Sequence, residues 1–442
     1  MRRVLVANRG EIALRIIRAC HHAGFEAVAA YSDADTASRW VELADDAVHI
    51  GGSPAAKSYL NADAVLDAAK RSGADAIHPG YGFLAENAAF ARRVAEAGLT
   101  FVGPPAEVIE KMGDKATARR MAQEAGVPVV PGSDPVTSVE AAEAAAAEVG
   151  FPLLVKASAG GGGRGIRPVG APDELAAVLP TAQAEASAAF GDGTVYLERL
   201  IERARHIEVQ VLADHHGNAV HAFERDCSVQ RRRQKLIEEA PAPGLPAEVR
   251  TAITDAAVRL ARHVGYRNAG TVEFLLAEDG QFHFIEMNTR IQVEHPITEC
   301  VTGVDLVAEQ LRIASGAPLS FAQDDLALTG AAVELRINAE DPDADFRPAP
   351  GELSVFDLPG GPGVRVDTGF TAGDRISPFY DSMIAKLVCW GATREEALSR
   401  ARQAVAELRF EGVPSTAGLH ARLLPQLAPG PVHTRWLEEW LR

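Results

Sequence analysis

The chain has 442 residues, 47% hydrophobic and 24% charged, with a formal net charge of -16. That length and composition are enough for a full core spread over two or three lobes of an ordinary soluble protein. The acidity excludes nucleic acid and an anionic membrane surface as main partners, because both need a basic footprint, so any anionic ligand must meet locally concentrated positive charge.

Residues 4–7 form too short an apolar run for a signal peptide or a bilayer span, which points to a cytoplasmic protein. They read as a strand, followed by a turn at Asn8-Arg9-Gly10 and an amphipathic helix through Ile12, Leu14, Ile16 and Ile17. The alternation recurs with strands at 27–31 and 76–78 and helices at 62–69 and 88–97, predicting a doubly wound, Rossmann-like α/β domain over 1–103. A lone Gly10 is no dinucleotide fingerprint. Residues 104–130 read as a linker and 131–203 as a smaller lobe, in which the Ala-rich stretch 139–149 is a helix closed by Gly150. Residues 204–442 read as a large mixed α+β domain, with strands at 206–212, 271–276, 282–286 and 332–337 and a helix at 394–408. Cys20, Cys227, Cys300 and Cys389 lie far apart without metal-ligand spacing and read as reduced, buried thiols.

In the smaller lobe, apolar Leu153-Leu154-Val155 leads into Lys156 and then Gly160-Gly161-Gly162-Gly163-Arg164-Gly165. Glycine amides approach phosphate oxygens closely and Lys156 adds a point charge, so the run is either a mobile lid over phosphates or a flexible linker. It lacks the Gly-Lys-Ser/Thr ending of a P-loop. Lys115, after Gly113-Asp114, is either another phosphate ligand or a surface lysine. Further on, Gln230-Arg231-Arg232-Arg233-Gln234-Lys235, read as one extended strand, sets Arg231, Arg233 and Lys235 on one face as a small-anion pocket or a solvated patch.

Asp279-Gly280 is a two-residue hairpin signal between apolar strands. Counting outward from it pairs Glu278 with Gln281, Glu273 with Glu286 and Thr271 with Asn288. Two carboxylates roughly 5 Å apart at Cβ repel unless a cation lies between them. Glu273, Glu286 and Asn288 form an all-oxygen set suited to magnesium, with an exposed acidic pair as the plainer alternative. From Glu286 to Glu294 polar and apolar residues alternate, so an extended strand would put Glu286, Asn288, Arg290, Gln292 and Glu294 on one face. Arg290 then reads as a two-pronged oxyanion ligand and Glu294 as a general base, or the two as an ordinary ion pair.

Together these segments closely resemble biotin carboxylase, the ATP-grasp component of acetyl-CoA and related acyl-CoA carboxylases. The resemblance runs through essentially the whole chain. It is carried by Ala7-Asn8-Arg9-Gly10-Glu11-Ile12-Ala13, His78-Pro79-Gly80-Tyr81-Gly82-Phe83-Leu84, Met112-Gly113-Asp114-Lys115, Glu286-Met287-Asn288-Thr289-Arg290-Ile291-Gln292-Val293-Glu294-His295-Pro296, Arg336-Ile337-Asn338-Ala339-Glu340-Asp341-Pro342 and Tyr380-Asp381-Ser382-Met383. It implies an N-terminal Rossmann-like domain, an ATP-grasp lid and a large C-terminal catalytic domain.

It also implies that Lys115, Lys156, Gly162 and Gly163 hold ATP phosphates. Glu198, Arg199, Leu200 and Ile201 would border adenine, with His206, Gln230, Arg233 and Leu275 beside the nucleotide. Glu273, Glu286 and Asn288 would carry magnesium, or manganese in its place. Lys235, Arg290, Gln292 and the Val293 backbone would bind bicarbonate, Glu294 would deprotonate it, and Arg336 would stabilise the biotin enolate. Biotin would arrive on a biotin carboxyl carrier protein, and a separate carboxyltransferase would choose the acceptor, in fatty acid biosynthesis or a related pathway. Several positions depart from the family. Ala159 replaces a usual glycine and Arg233 a usual histidine, while His22 and Pro362 replace the glutamate and phenylalanine that help form a homodimer in well-studied members. The alternatives are another ATP-grasp ligase joining a carboxylate to an amine, which would not need the bicarbonate floor with Arg336, and a nucleotide-binding regulatory module without turnover.

Overall fold

The computed structural model describes residues 1–158 and 165–442. The N-terminal strands β1 (Arg3–Val6), β2 (Glu26–Ser32), β3 (Asp46–Gly51), β4 (Ala76–His78) and β5 (Thr100–Phe101) form one parallel sheet in the order β3-β2-β1-β4-β5. Helices α1 (Gly10–His22), α2 (Arg39–Leu43), α3 (Ala62–Ser72) and α4 (Ala88–Glu96) accompany it. Local chemistry sets their ends. Asn61 accepts from the Asp63 and Ala64 amides to start α3, and Gly73, left-handed at φ +65°, stops it. The strand order reverses between β2 and β4, so the loops after β1 and β4 open a crevice at the switch point. Asn8 closes its floor by donating to the Pro79 and Tyr81 carbonyls, each at 2.7 Å.

Helices α5 (Ala106–Gly113) and α6 (Lys115–Glu124) follow, within the stretch expected as a linker. The smaller lobe has α7 (Val139–Val149), β6 (Leu153–Ala157), β7 (Ile166–Val169), α8 (Pro172–Phe190) and β8 (Val195–Arg199), the strands pairing antiparallel in the order β7-β6-β8. Its own buried cluster includes Leu153, Val155, Leu175, Leu179 and Leu197. It joins the body through two adjacent strands of chain, tied where the Arg199 amide donates to the Pro131 carbonyl and the Leu200 amide to that of Pro152.

The body is built on an eight-stranded antiparallel sheet. Its strands are β9 (Arg205–Ala213), β10 (Ala219–Arg231), β11 (Gln234–Ala240), β12 (Asn268–Leu276), β13 (Phe282–Asn288), β14 (Ala331–Asn338) and two later ones, Val364–Thr368 and Met383–Gly391. The order is β13-β12-β9-β10-β11-β14, then Met383–Gly391 and Val364–Thr368. Helix α9 (Ala247–His263) packs on β9 and β10, and α10 (His295–Thr302) crosses towards β14.

Three local expectations need correction. Residues 230–235 are not one strand: Arg232 and Arg233, at φ +48° and +67°, are the two turn residues of the β10–β11 hairpin. Arg231 therefore faces Gln234, while Gln230 and Lys235 share the other face. The β12–β13 loop is also one residue longer than expected, because Ala277 pairs with Gln281 and Gly280 takes φ +83°. A bulge in β13 between Phe284 and Glu286 absorbs the extra residue and restores Glu273 opposite Glu286 and Thr271 opposite Asn288. Finally, extended backbone stops at Asn288; residues 289–294 bend and turn into α10.

Candidate active site

The β12–β13 hairpin puts Glu273 and Glu286 side by side on the face that also carries Leu275. Glu273 is crowded with donors. Its Oε1 accepts from Lys235 Nζ at 3.0 Å, Asn288 Nδ2 at 2.8 Å and Gln292 Nε2 at 3.2 Å, and its Oε2 lies 2.9 Å from His206 Nε2. Burial raises its pKa, but Lys235 and His206 outweigh that and hold the carboxylate far below its usual range. Glu286 shifts the other way, pushed up by burial and by Glu273 with Lys115 as the largest opposing charge. That unrelieved repulsion, beside an amide and with oxygen donors throughout, fits a hard divalent cation.

Lys235 is the hub of the floor. Its Nζ donates to Glu208 at 2.6 Å, Glu273 at 3.0 Å and Glu294 at 2.7 Å, so it stays charged despite burial. Two other sets of side chains have metal-like spacing, His206 with Glu208 and Glu273, and Glu208 with Cys227 and Glu294. The Lys235 ammonium already fills both. Glu294 is fully buried, with Lys235 on one oxygen and Arg336 Nη2 on the other at 2.9 Å. Burial raises its pKa, but Lys235, Arg336 and Arg225 together hold it well below the usual carboxylate range. Arg290 does not pair with Glu294; its Nε donates to Glu86 at 2.8 Å, Nη1 to Gln292 Oε1 at 2.9 Å and Nη2 to Asn288 Oδ1 at 2.9 Å. Although the backbone bends, Asn288, Arg290, Gln292 and Glu294 thus join one polar network.

Leu275 pairs with His206 across β12 and β9, and Gln230 Nε2 reaches His206 Nδ1 at 3.4 Å. Lys156 is ion-paired to Glu198 at the hinge, where Arg199, Leu200 and Ile201 line a cleft together with Ala277 and His283. Lys115 begins α6, capped by Asp114, and faces Glu286; burial lowers its pKa more than Glu286 restores it. Arg233 lies exposed in the hairpin turn. Ala159, Gly162 and Gly163 lie outside the described residues.

Family models match almost the whole chain in sequence. The biotin carboxylase N-terminal domain matches residues 1–109, the ATP-binding domain of the carbamoyl-phosphate synthase L chain matches 114–322, and the biotin carboxylase C-terminal domain matches 334–439. A biotin carboxylase of Nostoc sp. is 53% identical, the alignment covering 99% of this chain and 98% of the relative. The chain belongs to the biotin carboxylase family. It is an ATP-dependent ligase acting in biotin carboxylation. Biotin carboxylase 1 of Bacillus subtilis is 51% identical over 100% of this chain and 99% of its own length. The solved biotin carboxylase domain dimer of Hydrogenobacter thermophilus 2-oxoglutarate carboxylase superposes with a TM-score of 0.95 at 49% identity, over 99% of this chain and 97% of the other. That domain is in complex with MgADP, ADP and bicarbonate. His22 and Pro362 are both exposed. Among the described residues no helix is long and apolar enough to cross a membrane.

Beyond the motifs by which the family is recognised, the site uses residues that sequence reasoning passed over. Glu208 shares Lys235 with Glu273 and takes Arg225 Nε on its other side; both Glu208 and Arg225 are fully buried. The period-two run His206, Glu208, Gln210 in an otherwise apolar strand is the signal that marks it. Glu86 has no such signal, since it meets Arg290 from the N-terminal domain, 204 residues away. Glu238 holds Arg336 Nε at 2.6 Å and is likewise visible only once β11 lies beside β14.

Proposed function

We propose that this chain performs the first half-reaction of a biotin-dependent carboxylase, joining bicarbonate to biotin on a separate carrier protein at the expense of ATP, while a carboxyltransferase selects the acceptor. Lys115, Lys156, His206, Gln230, Arg233, Leu275 and the hinge 198–201 hold the nucleotide, and Glu273, Glu286 and Asn288 hold magnesium. The ion supplies charge neutralisation to the transferring phosphoryl group. Lys235, Arg290, Gln292 and the Val293 backbone hold bicarbonate, and Glu294 takes its proton. The bicarbonate oxygen then attacks the γ-phosphorus, releasing ADP and forming carboxyphosphate, which breaks down to phosphate and carbon dioxide beside biotin. The released phosphate takes the ureido N–H proton, the nitrogen captures carbon dioxide, and Arg336 stabilises the charge that develops on the ureido oxygen.

The observation that carries this reading is Glu294 clamped between Lys235 and Arg336. A carboxylate held so far down is a weak base while both cations attend to it. An anion that draws Lys235 away raises its proton affinity when the substrate arrives, and biotin does the same through Arg336. The MgADP and bicarbonate bound to the Hydrogenobacter relative support the substrate set.

The expected result is ATP hydrolysis that depends on bicarbonate and rises with free biotin. Glu294→Gln should lose turnover on the order of 1000-fold with nucleotide binding intact. Hydrolysis indifferent to both compounds, with nucleotide bound normally, would sink the proposal.

A further inference from the structure

The turn that carries Glu294 is held by its carbonyls. The Gln292 carbonyl accepts from His295 Nδ1 at 2.7 Å, and the Val293 carbonyl accepts from Lys386 Nζ at 2.9 Å. Both holding side chains are completely buried. The carbonyl can only accept, so His295 must carry its hydrogen on Nδ1. Burial, with Lys386, Arg15 and Arg365 nearby, keeps the ring neutral, its pKa well below the ordinary histidine range. Lys386 is anchored by Glu11 at 3.0 Å, with Asp367 at 3.9 Å, and Glu11 in turn accepts from the Tyr81 hydroxyl in the crevice wall.

A trans peptide is planar, so its N–H points opposite to its C=O. Fixing the Gln292 carbonyl fixes the Val293 N–H, and fixing the Val293 carbonyl fixes the Glu294 N–H. Among the described residues neither of these N–H groups meets an acceptor. Successive amides of this kind form an anion-binding concavity. They lie on the stretch whose Gln292 and Glu294 side chains reach Glu273 and Lys235.

We propose that His295 and Lys386 are positioning residues that aim the Val293 and Glu294 amides at bicarbonate, an inference that rests on the bicarbonate reading of this floor. Through Glu11 the same lysine ties that aim to Tyr81, so one buried charge sets both the anion floor and the crevice wall.

The test compares His295→Leu with His295→Asn, whose amide nitrogen can take the place of Nδ1, in steady-state ATPase assays of the full chain. His295→Leu should raise the bicarbonate KM about tenfold and leave the ATP KM within about twofold, and His295→Asn should recover most of the loss. The double change Lys386→Met with Glu11→Gln, which removes both charges of the buried pair, should raise the bicarbonate KM about fivefold. Equal movement of both KM values, or no recovery by asparagine, overturns the proposal. Should the variants not fold, hydrogen exchange of the unaltered protein decides it: bicarbonate should slow exchange at the Val293 and Glu294 amides, and unchanged exchange overturns the proposal. Absence of bicarbonate-dependent hydrolysis in the unaltered protein would instead remove the functional reading itself.

Discussion

Two pairs of glutamates face each other across the same sheet, and they resolve the same conflict in different ways. Glu273 opposes Glu286 across β12 and β13, and Glu238 opposes Glu334 across β11 and β14. The first pair borders the cleft, where Lys235 and His206 keep Glu273 ionised and Glu286, pushed up by burial and by Glu273, is the residue proposed to meet magnesium. The second pair is fully buried. Glu238 gives one oxygen to Arg336, while its other oxygen and both oxygens of Glu334 find no hydrogen-bond partner among the described residues. Burial outweighs Arg336 and raises the pKa of Glu238 to about 7, and burial raises that of Glu334 well above the usual range. An opposed carboxylate pair is therefore no metal signature by itself. Access to the cleft decides whether a metal ion or a proton relieves it.

The largest test of this contrast is Glu286→Gln, which removes a charge the first pair needs. Turnover should fall on the order of 100-fold and the magnesium requirement should rise, read by titrating the ATPase with magnesium. An unchanged magnesium dependence would break the assignment. Glu238→Gln keeps an acceptor for Arg336 but removes the charge. Biotin-stimulated turnover should drop about tenfold, with the biotin-independent ATPase changed less. Glu334→Gln has the smallest effect, on stability alone. A carboxyl whose folded pKa is raised keeps a proton that the unfolded chain releases, so the wild type loses stability as pH rises above the unfolded value near 4.3. The glutamine variant should be more stable at pH 8 by about 1 kcal/mol, and the advantage should vanish at about pH 4, as measured by urea unfolding. A constant difference across that range would mean that Glu334 holds no proton.

The sequence pattern made most of the N-terminal βα alternation legible because β1, β2, β4 and the helices α1, α3 and α4 are announced by their own residues; β3 and the two-residue β5 were missed. The register of the β12–β13 hairpin came out right although its loop did not, since the bulge next to Ile285 cancels the third loop residue. The β10–β11 turn was hidden because arginines occupy left-handed positions that usually signal glycine or asparagine. The polar stripe of 286–294 was visible as a pattern and misread as a strand, for its side chains converge by hydrogen bonding after the backbone turns. Glu86, Glu238 and Lys386 depend on contacts between distant segments, which local periodicity does not encode.

The eight-stranded sheet also bears on how this chain could be recombined. The interval between the second and third family matches, 322 to 334, opens after β11 and closes inside β14, and a join ahead of Ala331 falls between these two neighbouring strands of one sheet. A chimera joined there would take Ile237 to Ala240 from one parent and their ladder partners Leu335 to Ala332 from the other. The crossover would thus separate Glu238 from both Glu334 and Arg336. Parents that differ in the charge of any of these three would bring an unbalanced charge into the core, so a seam that looks convenient in the linear sequence runs through a unit that must be inherited whole.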